Sequence, residues 1–399
     1  MENLRQVKGL QIAQTATIQE GYDGWVVPSQ TSNKKYYVRK DEEKTCSCPD
    51  CKTRGVKCKH AFAVEYYLQK ITTAKNGSIA IEHKRLTYSQ AWKAYDKSQQ
   101  EEKAQLMQLL KDLLETVEEP VYKFGRPTAS RKDLLFSSAL KVYCQFSLRR
   151  FMSDLKQAKE NELVKTTPCF ASVGHFMQQE ELTPILKELI ALSAAPLKAV
   201  ESKFAIDSTG FRTTKFNDYC VQKHDTKRKH EFVKLHAVCG TKTNIITACE
   251  VTPSFGVGTG DISLFAPLAN ATKENGFDIQ EMTADMAYSS RDNTSLIEEF
   301  GGTAFIPYKK DASTRSSKGL TWRKMFHYFK FNQEEFMQHY HARSNIETSF
   351  HMIKSKFNDL LKSKTFAAQK NELLLKVLCH NIVCVIHESN ELGIKTCFQ

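Results

Sequence analysis

"SKFAIDSTG", residues 202–210, decides how the C-terminal half of this chain is read. An apolar run, Phe204-Ala205-Ile206, leads into Asp207, and small, turn-forming residues follow. The pattern predicts a short strand ending in a turn, with a carboxylate at its tip. Such a position lies at the lip of a sheet, where α/β proteins gather their sites. "IQEMTADMAYSS" (279–290) repeats the arrangement, with Asp285 ending the apolar stretch. Between the two, "HEFVKLHAVCG" and "NIITACEVTP" read as further strands joined by a hairpin connection. "DISLFAPLANATKENG" has helical spacing, with Asp261 as its N-cap and Gly276 as its stop. "RDNTSLIEEFGG" is another helix and "TAFIPYKK" another strand, and helices follow almost to the last residue. Mixed strands flanked by helices indicate an α/β domain over residues 201–399.

Upstream the texture changes twice. From about 86 to 200 it is helical: "YSQAWKAYDKSQQEEKAQLMQLLKDLLETVEE" is a long amphipathic run that stops before Pro120. A Pro-punctuated turn and two short basic helices follow, with Arg149 and Arg150 after the first of them. Residues 1–85 begin with strand-like alternation in "GWVVPSQ" and "KKYYVRK" and end on a short helix, "HAFAVEYYLQK". Three domains of 1–85, 86–200 and 201–399 are therefore expected. There is no internal repeat or low-complexity segment.

Four of the twelve cysteines fall between residues 46 and 58, and "MENLRQVKGLQIAQ" lacks the apolar stretch of a secretory signal. A cytosolic metal site then explains the cluster better than disulfides do. Cys46, Cys48, Cys58 and His60 form C-x-C and C-x-H pairs separated by nine residues, with Gly55 supplying a turn. Three thiolates and an imidazole complete a tetrahedral structural Zn²⁺ shell, and Cys51 is a fifth candidate. No run approaches the ~18 apolar residues needed to span a membrane, so an intracellular protein with no membrane partner is expected. Lys and Arg number 57 against 45 Asp and Glu, a formal charge of +12, which favours a polyanionic partner.

"HARSNIETSFHMIKSKF" (341–357) holds one acid, Glu347, among histidines, Arg343, Lys354 and Lys356. With Tyr340, the residues Arg343, Glu347 and Lys354 fall within roughly 60° of one another around a helix. A guanidinium and an ammonium on one stripe suit phosphate, and the carboxylate among them asks for a metal. The plainer alternative is a solvated helix with Arg343 and Glu347 as an i,i+4 ion pair. Two further acids, Asp207 and Asp285, tip the balance, because three carboxylates can hold two hard divalent cations. Asp261 and Asp292 are rivals for that role, but neither ends an apolar strand.

The spacing Tyr340-x2-Arg343-x3-Glu347-x6-Lys354 resembles the YREK signature of insertion-sequence DDE transposases. "IDSTGF" and "ADMAYSS" are similar to that family's first and second acidic motifs, and the likeness covers about residues 120–390. The cysteine segment resembles a SWIM zinc finger. The resemblance implies an RNase H-like fold, with Asp207, Asp285 and Glu347 holding two Mg²⁺ (or Mn²⁺). It implies that Tyr340, Arg343 and Lys354 contact DNA at the transposon's inverted-repeat ends. The implied activity is cleavage at those ends and joining of the freed 3′-OH to target DNA, by a protein working as a homodimer. In a prokaryote it would sit in the cytoplasm or nucleoid. A nuclease or resolvase on the same fold and a domesticated DNA-binding regulator are the competing expectations. Only 61 residues separate Asp285 from Glu347, which argues against the large inserted β domain of some relatives. "KHDTKRKHEF" (223–232) is either a solvated loop or a guide for phosphates. Trp322 is either a core residue or a stacking platform for a splayed base. Cys379 and Cys384 read as core residues of an amphipathic terminal helix.

Overall fold

The computed structural model describes residues 4–21, 24–30, 34–40, 45–54, 57–75, 91–121, 124, 129–214, 232–254, 256, 260–309, 312, 319–394, 396 and 398. Gly55, residues 125–128 of the Pro-punctuated turn and most of the 223–232 charge run lie outside them. The chain forms two compact units, Met1–Gln90 and Ala91–Gln399. Among the described residues no helix is long and apolar enough to cross a membrane.

The first unit runs α1 (Leu4–Thr15), β1 (Gln19–Gly21), β2 (Gly24–Pro28), β3 (Lys35–Arg39), α2 (Pro49–Arg54) and α3 (Lys59–Lys75). β1, β2 and β3 make a small antiparallel sheet, with Val38 bridged to Cys46 beyond it. A core of Ile12, Trp25, Val27, Val38, Ala61 and Val64 lies against the buried thiols of Cys46, Cys48 and Cys58. So few apolar residues give a unit of this size little margin, and a metal staple is the usual remedy.

The second unit opens with five helices: α4 (Trp92–Leu114), α5 (Arg131–Tyr143), α6 (Met152–Glu160), α7 (Phe170–Phe176) and α8 (Leu182–Ala194). Then come β4 (Lys203–Arg212), β5 (Phe232–Gly240), β6 (Ile246–Pro253), α9 (Asp261–Glu274), β7 (Glu281–Ala284), α10 (Arg291–Glu299) and β8 (Thr303–Phe305). The chain ends with α11 (Leu320–Phe331), α12 (Gln333–Tyr340), α13 (Ser344–Phe357) and α14 (Phe366–Leu392). The five strands lie in the order β6-β5-β4-β7-β8; β4, β5 and β6 are antiparallel, and β4, β7 and β8 parallel.

Strand alternation sends Ala205, Phe211, Leu235 and Ala237 to one face, where they pack with residues of α4, α5, α8, α13 and α14. Phe204, Ile206 and Val238 go to the other, against Phe265, Leu268 and Ile297 of α9 and α10. This sheet between helical layers is the RNase H-like α/β architecture expected. The helical stretch 86–200, expected as a domain of its own, shares one core with the sheet instead. Its leucine stripes (Leu106, Leu110, Leu135, Leu186) pack on one another and, in the same cluster, on the strands and α14. α14 is also not amphipathic: nearly every residue from Ala368 to Ile386 is buried. Its polar groups find partners inside, as Asn381 does on the backbone N–H and carbonyl of Ile246 (2.9 and 2.8 Å). Trp322, Cys379 and Cys384 are core residues, the indole lying 4.6 Å from the Tyr308 ring.

Candidate active site and metal centre

Asp207 does not end its strand. β4 continues to Arg212 because β5 pairs with it along its length and Leu360 bridges its last residue, which outweighs the turn preference of Ser208-Thr209-Gly210. β7 is the element that stops: its register with β4 runs to Ile206 opposite Ala284, and Asp285 is the first residue off the strand. The two acids thus stand at equivalent positions on adjacent parallel strands, Asp207 within β4 and Asp285 just past the end of β7. Asp285 caps a single helical turn at Met286–Tyr288 by accepting from the Ala287 N–H (2.7 Å).

Asp207 accepts from the Ser208 N–H (2.8 Å) through Oδ1 and from the Arg343 guanidinium through Oδ2. The other guanidinium nitrogen, Nη2, donates to Glu347 Oε1 at 2.5 Å. The expected i,i+4 pair is therefore present, but Arg343 also ties Glu347 to an acid 136 residues distant. Burial pushes the Asp207 carboxyl above the usual carboxylate range, and the charge of Asp285 adds to it, against Ser208 and Arg343. A cation placed here relieves that excess of negative charge. The three carboxylates are the hard oxygen donors that divalent ions prefer, so the residues fit such ions. Their oxygens do not form a tight ligand set in this arrangement, because the Arg343 guanidinium lies between Asp207 and Glu347 and supplies the countercharge itself.

The expected single stripe from Tyr340 to Lys354 is broken. Tyr340 ends α12, Arg343 lies in a one-turn 3₁₀ segment (His341–Arg343), and Glu347 and Lys354 are on α13. Tyr340 packs at the edge of an aromatic cluster around Phe305, Tyr308 and Phe336. Lys354 reaches back to the strand, donating to Thr209 Oγ1 at 2.6 Å with its ammonium 5.3 Å from the Phe211 ring centre. Burial lowers its ammonium pKa.

Asp261 was discounted on sequence, yet it accepts from Ser208 Oγ (2.8 Å) and Lys234 Nζ (2.6 Å). It is not an N-cap: Gly260 holds that position and Asp261 opens the first turn of α9. Its partners Ser208 and Lys234 share a face with Ile206, opposite the face of Asp207, so it supports the strand from behind. His339 was missed. Its Nδ1 lies 3.0 Å from Glu281 Oε2 and its ring stacks on Phe305 at 4.3 Å, fixing the approach to Arg343. Nothing in a one-dimensional pattern marks either contact.

In the first unit, Cys46, Cys48, Cys58 and His60 bring their ligand atoms within 4.8 Å of one another, all four residues buried. Among the described residues this is the set that meets so closely. Cys51 stays outside, accepting from the Cys46 N–H and donating its own N–H to Cys48 Sγ, both at 3.5 Å. His60 is 3% exposed and its Nε2 has no partner. Hydrogen bonding from Cys46, opposed by burial, lowers the Cys58 thiol to about 3, whereas the bond to Cys58 raises Cys46. Thiols that share protons so unequally are suited to exchange them for a zinc ion.

Residues 198–382 match the family described as Transposase DDE domain, and residues 29–69 match the SWIM zinc finger. Nothing among curated proteins matches the chain. A cryo-EM structure of a piggyBac transposase synaptic complex with hairpin DNA is similar at 11% identity and a TM-score of 0.35, covering 74% of each chain. The chain carries a transposase DDE domain preceded by a SWIM zinc finger.

Proposed function

We propose that the protein is a DNA transposase that cleaves phosphodiester bonds at the ends of its element and joins the freed 3′-OH to target DNA. The observation that best supports this is that three acids distant in sequence lie around one guanidinium and one strand pair. Asp207 within β4 and Asp285 just past β7 stand in register on neighbouring parallel strands, and Arg343 bridges Asp207 to Glu347. In this reading Asp207, Asp285 and Glu347 hold two divalent ions, Mg²⁺ or Mn²⁺. Bound there, the ions supply the acidity that makes water a nucleophile at neutral pH and the charge that steadies the departing 3′ oxygen. Arg343, beside the acids that would hold the ions, would grip phosphate oxygens in a bidentate manner. Lys354 lies on the same side of β4 and meets the next phosphate as a point charge, with Tyr340 at the approach.

The four-residue thiolate and imidazole set holds a structural Zn²⁺ and gives the first unit the stability its small core lacks. Joining two ends to one target calls for at least two copies of the chain in the working complex.

The test is incubation with Mg²⁺, a target plasmid and a labelled duplex carrying the element's terminal repeats. Joined products support the assignment. Cut but unjoined DNA points to a nuclease, and DNA bound intact to a regulator without catalysis.

A further inference from the structure

A cavity of about 350 Å³ opens where the end of α5, the turn after it and the N-terminus of α14 meet. Lys141 lines it, is only 5% exposed, and has no hydrogen-bond or ion-pair partner among the described residues. The acid acting on it is Glu372, 2% exposed, whose oxygens already accept the backbone N–H groups of Lys362 and Ser363 at 2.8–3.1 Å. Lys376, also 2% exposed, spends its ammonium on the carbonyls of Asn358 (2.7 Å) and Leu360 (3.1 Å). Lys362 donates to the Gln145 carbonyl. One buried carboxylate thus serves the two ammonium groups of Lys141 and Lys376, the nearby Lys362 charge repels that of Lys141, and Lys141 lines the cavity. The Lys141 side chain is largely buried while its ammonium remains open to the cavity, and a bound anion offsets the repulsion that it feels from Lys362.

The rim is built for such an anion. Ser147 and Ser363 bring hydroxyls and Lys364 an exposed ammonium. The 27-residue helix α14 starts at Phe366, with the Thr365 hydroxyl capping the Ala368 N–H, so the positive end of its dipole lies at the same opening. Helix N-terminus and unpaired lysine are separate observations, and both ask for an oxyanion.

The position of the cavity selects among oxyanions. The loop that precedes it is stitched to the strand of Asp207: Arg212 N–H donates to the Asp359 carbonyl (2.9 Å), and Leu361 N–H to the Arg212 carbonyl (2.8 Å). Lys354 on Thr209 lies between Asp207 and that loop. The walk from Asp207 to Arg212 along β4 is ~17 Å at about 3.4 Å per residue, and the cavity lies past Leu361, on the far side of that loop from Arg212. We propose that this cavity binds a backbone phosphate of duplex DNA, as an anchor away from the bond that the carboxylate centre attacks. The proposal rests on the transposase reading for its ligand and on Lys141 for its site.

The test uses the full chain and a nonspecific duplex, with affinity measured against salt and no Mg²⁺ added, so that cleavage plays no part. Replacing Lys141→Met should weaken binding roughly tenfold at 0.1 M salt and lower the slope of log K against log salt by about 0.9, the loss of one phosphate contact. Ser147→Glu places a carboxylate on the exposed rim, should weaken binding at least as much, and keeps the test open if the buried variant does not fold. An unchanged slope in both variants overturns the proposal. Inorganic phosphate is titrated in parallel. If it raises the Tm of the wild type but not of Lys141→Met while DNA binding is unaffected, the cavity holds a free ion and the DNA assignment fails. Loss of the salt slope in a protein that cuts no DNA upholds the anchor and refutes the transposase reading instead.

Discussion

Arg343 is the residue on which the candidate centre turns, since one guanidinium pairs with two of the three acids. It competes with any cation that would use Asp207 and Glu347. Replacing Arg343→Ala should therefore tighten Mn²⁺ binding severalfold, read by titration of the free ion, while end cleavage falls because the phosphate grip is lost. An unchanged Mn²⁺ affinity would show that the guanidinium leaves the acids at no cost. Glu347 tests the opposite property. Its side chain is 59% exposed and its partner is Arg343, so Glu347→Gln should cost no more than about 1 kcal/mol of stability. Cleavage should drop by ~10²-fold or more with DNA binding intact, since ligand-shell changes act on the ion rather than on the fold. The sequence singles out the three acids because each stands alone beside apolar or basic neighbours, and the structure joins two of them, Asp207 and Glu347, through Arg343. Asp261 was not. Ser208 points to the face opposite Asp207, and the Ser208–Asp261 hydrogen bond exists only once α9 has packed behind the sheet.

At the scale of elements, strands and helices were readable where their pattern is strong, and boundaries failed where tertiary contacts decide. Ser208-Thr209-Gly210 has turn chemistry, yet β5 and the Asp359–Leu361 segment hold it extended. The stripe from Tyr340 to Lys354 fits one ideal helix, yet the chain tightens into a 3₁₀ turn at His341–Arg343 between two α-helices. His339, locked on Glu281 and Phe305, fixes where α12 ends, and α13 must then restart to lie along β4. The zinc segment was the most legible part, because C-x-C and C-x-H carry their meaning in spacing alone. Its energetics make a sharp prediction. Cys58→Ser should cost the chain its zinc, measured as metal content, and expose residues 4–75 to proteolysis. The unit from Ala91 to Gln399 has its own cores and should still unfold cooperatively. Retained zinc would mean that Cys51 takes the vacant place, since its thiol already neighbours the Cys46 backbone.

For the molecule as a whole, the central helix α14 and the sheet bury polar groups that no hydropathy pattern assigns to a core, and these groups make stability depend on pH. His236 on β5 is 0% exposed and His380 on α14 is 2% exposed. Burial lowers both to about 4, for His236 with the Lys234 charge adding to it, and for His380 against the Asn244 carbonyl at 2.9 Å. In the unfolded chain each imidazole titrates near 6.5. Below that value the unfolded state binds protons that the folded state refuses, so stability is lost as pH falls from about 6.5 to about 4 and levels off beneath. A depression of this size amounts to ~3 kcal/mol for each ring as an upper bound. Glu250, Asp261 and Glu372 act in the same sense, but lower, because their carboxyls lie below the usual range and matter only under about pH 4.5. Glu201 and Asp207, both raised chiefly by burial, act oppositely, taking up protons first in the folded state. The histidine part is separable by comparison. In urea unfolding at pH 7 and pH 4.5, the wild type should lose several kcal/mol more than a His236→Gln/His380→Gln variant does. Equal losses would mean that the two rings are protonated in the folded state, and that the sheet and α14 open to water around them.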